Sequence, residues 1–256
     1  MKSMKIKEYL IIEDKDSMST EEQKFIGIIK DFMCEHLEKL GVYYDGEYRI
    51  IYKAPSFDTP MFSTKEENPE LQNDIIFIAS KSYVYWSQVI YQLSHELTHC
   101  FIYANNKSKE QKALWIEESI CEIMAYYFLK YFADNWETCS LSLYDLNYGE
   151  KIREYLHCAM NQEKTGLLSE CKSYEELMKI DAFAQECRAD RRKEVLQMLE
   201  LLSCRDICGL LKYKDYVIQN KKILCTQRYH EDNLENRVIG YLCNLQNKIL
   251  QAKIDM

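Results

Sequence analysis

Two regimes of apolar spacing divide the chain. Up to about residue 80, short β-branched runs surround one helical segment; beyond it, helical spacing of apolar positions dominates. Tyr9 to Glu13 (YLIIE) is strand-like. Ser19 with Glu22 three residues on forms a capping box, which predicts a helix to about Leu40 with Gly41 as its stop. Val42-Tyr43-Tyr44, the turn dipeptide Asp45-Gly46 and YRIIYK (48–53) together predict a β-hairpin. The segment 54–73, which holds Pro55, Pro60 and Pro69, predicts a surface loop. IIFIA (75–79) predicts a buried strand leading into a helix from about Trp86 to Ala104, followed by a second from about Lys109 to Phe132. From Leu141 the pattern stays helical, with polar breaks near Asn161–Gly166 and Asn220–Lys222.

The resulting fold class is α+β, predominantly helical. A small N-terminal α/β lobe with a sheet spans 1–80, a pair of helices 81–132 and a helical lobe 133–256, as separate parts or as one continuous domain. At 256 residues and 47% hydrophobic, the chain can bury a sizeable core. Its net charge of −8, from 33 Lys+Arg against 41 Asp+Glu, comes without any basic cluster, which argues against nucleic acid as a partner. No apolar run approaches the ~20 residues that cross a bilayer, so no membrane association is expected. The 11 cysteines are odd in number and the N-terminal MKSMKIKEYLIIEDKD lacks a signal-peptide core, which predicts reduced thiols and a cytoplasmic location.

The chemistry concentrates in His95-Glu96-Leu97-Thr98-His99, an HExxH motif. Four residues apart on a helix, the two imidazoles project from one face and can grip a single Zn²⁺, with Glu96 beside the metal. At about 100° per residue, Ile90, Leu93, Leu97, Phe101 and Ala104 make an apolar stripe for the core, while His95 and His99 lie opposite with Gln88 and Gln92 and are expected to face a cleft. The second helix is apolar to Leu129 apart from its glutamates. Glu118 can supply a third protein ligand, leaving the fourth zinc position to water, and Glu122 one turn on can hold a histidine from behind.

Eighteen residues separate His99 from Glu118, and LWIEESICE (114–122) is similar to the LWLNEGFAE of aminopeptidase N-type enzymes. The stretch 75–129 thus resembles the gluzincin zinc metallopeptidases, a pattern shared in looser form with thermolysin. The resemblance implies a gluzincin-like hydrolase of peptide or protein substrates, with His95, His99 and Glu118 as zinc ligands. It also implies Glu96 as general base and Glu122 as the carboxylate orienting His95. Metzincins are excluded, because the sequence after His99 has neither their glycine nor their third histidine. The compact repressor-cleaving peptidases offer a second resemblance through HExxH and an acidic helix. A non-catalytic interaction protein that keeps the zinc fold, and a hydrolase of non-peptide amides, stand as rival readings.

Other residues also carry candidate chemistry. Tyr148, Tyr155, His157 and His230 are the candidates to steady a tetrahedral oxyanion. Cys204 and Cys208, with Cys187 and Cys225, have helical rather than zinc-knuckle spacing and are expected to be buried structural thiols. Cys100 falls toward the apolar stripe. His36, in the last turn before Gly41, is expected to act structurally as an imidazolium at a helix C-terminus.

Overall fold

A computed structural model describes residues 5–12, 18–44, 49–53, 59–80, 82, 84–105, 112–162, 166–186, 191–218, 221–231 and 236–251. Its elements are β1 (Leu10–Ile12), α1 (Thr20–Lys39), β2 (Arg49–Lys53), β3 (Met61–Ser63), β4 (Asp74–Ile78), α2 (Trp86–Asn105) and α3 (Leu114–Asp134). Then follow α4 (Tyr148–Asn161), α5 (Leu167–Glu170), α6 (Tyr174–Ala182), α7 (Arg192–Leu201), α8 (Ile207–Leu210), β5 (Val217–Ile218), β6 (Ile223–Leu224), α9 (Thr226–Glu231) and α10 (Arg237–Gln251). The fold is predominantly helical α+β, and no described helix is long and apolar enough to cross a membrane.

The chain divides into two compact units. One comprises Met1–Ala104 and Met124–Ala159, the other Asn105–Ile123 and Met160–Met256. Helix α3 is unbroken across the point of division.

In the first unit, the capping box forms as expected. Glu22 N–H donates to Ser19 Oγ at 3.2 Å, and Ser19 N–H donates to Glu22 Oε2 at 2.8 Å. At the far end of α1, Gly41 takes φ 78° and Val42 N–H reaches back to the Leu37 carbonyl at 3.0 Å, a closure that a side chain at position 41 would strain. The four-stranded sheet has the order β1-β2-β4-β3, with β2 parallel to β1 and to β4, and β3 antiparallel on the edge. Helix α1 is the crossover that parallel β1 and β2 require. β4 is buried along its whole length.

Several expectations are corrected here. The hairpin over 42–53 does not form: Val42–Tyr44 carry no strand, and β2 pairs in parallel instead. Residues 45–48, which include the turn dipeptide, lie outside the described residues. The reason is packing: Tyr44 is buried among Tyr9 at 5.3 Å and Phe101 at 5.5 Å between ring centres, with its hydroxyl 3.7 Å from Cys100 Sγ. The 54–73 loop contains edge strand β3, because Met61–Ser63 complete hydrogen bonds on the open side of β4. Helix α3 starts at Leu114, since Lys112 and Ala113 are not helical, and Asp181 Oδ1 accepts from Trp115 N–H at 3.2 Å in its first turn. The C-terminal part is interrupted by the short antiparallel pair β5–β6.

The second unit is held by polar groups that reach across long sequence separations. Asp181 pairs with Lys222 at 2.5 Å as well as with the start of α3, and Trp115 Nε1–H donates to the Lys222 carbonyl at 2.9 Å. Gln246 of α10 both accepts from Leu224 N–H at 2.6 Å and donates to its carbonyl at 2.9 Å, so a side-chain amide completes the edge of β6. Asn236 caps α10 by accepting from Ile239 N–H at 3.0 Å.

Candidate metal centre

Helix α2 presents polar residues in a nearly complete apolar setting. Ser94 Oγ–H donates to the Ile90 carbonyl at 2.6 Å, and Thr98 Oγ1–H to that of Ser94 at 2.7 Å, so both hydroxyls are satisfied within the helix. Ile90, Leu93, Leu97 and Phe101 form the expected buried stripe. The opposite face differs from expectation: Gln92 is buried, its Oε1 accepting from Ala79 N–H just beyond β4 at 3.0 Å. His95, Glu96 and His99 are only 0, 2 and 8% exposed. These side chains are therefore interior rather than displayed on the helix surface.

The histidine rings lie 5.1 Å apart at 63°. Tyr91, one turn before His95, has its ring 6.5 Å from that imidazole and 6.2 Å from the ring of Tyr126 on α3. This contact sets α3 against α2, and an unbroken helix carries its register back to the preceding turn. There Glu118 and Glu122, 1% and 6% exposed, share a face of about 100° with Cys121.

One ligand atom each of His95, His99 and Cys121 come within 4.8 Å of one another, the one such group of three or more among the described residues. Two imidazoles and a thiol suit a borderline-soft ion such as Zn²⁺, which takes tetrahedral nitrogen and sulfur ligands. Glu118 stands three positions before Cys121 on the same helix but outside the group. Cys121 is not legible as a ligand in the sequence because it looks like one more small apolar residue of α3. Its visible signal was a donor residue one turn from two glutamates, on a helix that follows HExxH.

Glu117 forms a buried arrangement of its own, receiving the Tyr213 hydroxyl at 2.6 Å and the Lys214 ammonium at 3.1 Å. Burial, and next the carboxylate of Glu117, push the Tyr213 phenol well above its ordinary range and keep it a proton donor. Neither partner was foreseeable, since they stand about a hundred residues away in sequence.

The remaining candidates separate. Tyr148 is buried, donating to the Val84 carbonyl at 3.2 Å and lying 3.4 Å from Ser87 N–H, so its hydroxyl is engaged in the approach to α2. Tyr155 borders Tyr91 at 6.4 Å between ring centres and is 36% exposed; His157 is exposed, and the His230 side chain lies outside the described residues. Cys100 is core, as expected. Cys204 is exposed and Cys208 and Cys225 are half-buried, which corrects the expectation of buried thiols there, and Cys187 lies outside the described residues.

His36 is structural but not an imidazolium. Burial, then the neighbouring Lys39, lower its pKa to about 4, and it pairs with Tyr127 Oη at 2.6 Å while stacking on Tyr131 at 3.7 Å. Desolvation of the ring outweighs the attraction of the helix C-terminus.

Comparison with known protein families, with curated proteins and with solved structures gives no match.

Proposed function

We propose that the protein is a zinc-dependent peptidase of gluzincin type, acting on peptide or protein substrates in the cytoplasm. The observation that supports this reading is the convergence of His95 and His99 with a donor of α3, with Glu96 held between them in sequence and buried. His95 and His99 would hold the ion; the third protein ligand comes from α3, where the family resemblance points to Glu118. Bound zinc supplies Lewis acidity, polarising the scissile carbonyl and acidifying water. Glu96 accepts the proton of the attacking water and delivers it to the leaving amine. By the same resemblance, Glu122 would steady His95 from behind and fix the ring's tautomer.

The test is Glu96→Gln, which keeps size and hydrogen-bonding capacity but accepts no proton. The variant is expected to retain about one zinc per chain and to cleave a mixed peptide library ~10²- to 10⁴-fold more slowly than wild type. Equal cleavage by the two would remove Glu96 as the base.

The near-complete burial of His95 and Glu96 favours a second reading, in which the metal stabilises a non-catalytic interaction protein. A fully zinc-loaded wild type that cleaves no library peptide, yet melts well above its metal-free form, would establish that reading instead.

A further inference from the structure

We infer that the third protein ligand of this centre is the Cys121 thiolate and that Glu118 is dispensable for holding the ion. The inference rests on the metal-binding reading above, but names a donor that the family resemblance does not.

Three observations carry it. The Cys121 Sγ, not a Glu118 oxygen, completes the one group whose donor atoms all lie within 4.8 Å of one another. Ligands held at about 2.0–2.3 Å around a tetrahedral ion stand roughly 3.3–3.8 Å apart, so these atoms need only a small inward movement. Cys121 is fully buried, and its position on α3 is set by Tyr126 against Tyr91, whose ring neighbours His95. Finally, Cys100, adjacent in sequence to His99, is engaged elsewhere, with the Tyr44 hydroxyl 3.7 Å from its sulfur.

Two consequences follow. On binding, the S–H bond breaks, a sulfur–metal bond forms and the proton passes to solvent, so loading releases acid. A thiolate also tilts selectivity toward Zn²⁺ and Co²⁺ and away from Mg²⁺, Ca²⁺ and Mn²⁺, which prefer oxygen donors.

X-ray absorption on the zinc-loaded full chain is expected to show one sulfur neighbour at about 2.3 Å beside nitrogen and oxygen neighbours. The Co²⁺-substituted chain is expected to show a thiolate-to-cobalt charge-transfer band that Cys121→Ser abolishes and Glu118→Gln retains. A zinc shell of nitrogen and oxygen alone overturns the assignment, and needs no variant that could misfold. A band that survives Cys121→Ser, or one that Glu118→Gln abolishes, overturns it equally. Cleavage is scored separately on the same samples. Sulfur ligation without hydrolysis leaves Cys121 in place and removes the peptidase reading, whereas hydrolysis with a sulfur-free shell removes Cys121 alone. A chain that takes up neither ion overturns both.

Discussion

His36 and Cys121 are each buried side chains whose chemistry depends on what packs around them. Because His36 titrates at about 4 in the folded chain against 6.5 when exposed, protons favour the unfolded state between those values. Its contribution is intact above about pH 6.5 and is lost as pH falls toward 4. His36→Gln, which keeps a partner for Tyr127, is expected to flatten this part of the pH profile, read as melting temperature from pH 7 to 4.5. Parallel profiles for variant and wild type would refute it. The neutral state of His36 could not be anticipated, because the aromatic rings around it come from α3, almost a hundred residues on. The HExxH residues were legible because a local helical repeat places them. Cys121 was not, because its meaning depends on which face of a second helix meets the first.

At the level of elements, local signals held and pairings did not. The Ser19–Glu22 box and Gly41 bracket α1 almost to the residue, since a cap is decided within four positions. Ser19→Ala is expected to lower stability by about 1 kcal/mol, measured by urea unfolding, with Glu22→Ala smaller because it leaves the Ser19 acceptor intact. A change within error for Ser19→Ala would mean that the helix start is held from elsewhere. Strand β2 shows the opposite behaviour: its existence was legible in YRIIYK, but its partners were not. An Asp-Gly turn favours a hairpin with the preceding segment, and that preference yields where Tyr44 packs against Tyr9 and Phe101. Parallel pairing to β1 and β4 leaves no local trace, because the residues that pair are separated by a whole helix or loop.

On the scale of the molecule, the second unit rests on a buried ion pair. Glu117 and Lys214 are both nearly inaccessible, so removing Lys214 leaves a buried carboxylate that keeps the Tyr213 hydroxyl but has lost its counter-charge. Lys214→Met is expected to destabilise the chain by roughly 3–5 kcal/mol, and adding Glu117→Gln to restore part of that loss. Denaturant unfolding of both variants checks this; equal stability of single and double variants would show that the pair is not coupled. The two-unit partition itself has a consequence for the order in which the chain is made. The stretch with Glu117, Glu118, Cys121 and Glu122 leaves the ribosome soon after His99, yet Trp115 waits for a partner 66 residues on, and Glu117 for one 96 residues on. During synthesis the first half of α3 therefore stays without its anchors until residues 181 and 213 have been made, and the second unit closes late in translation.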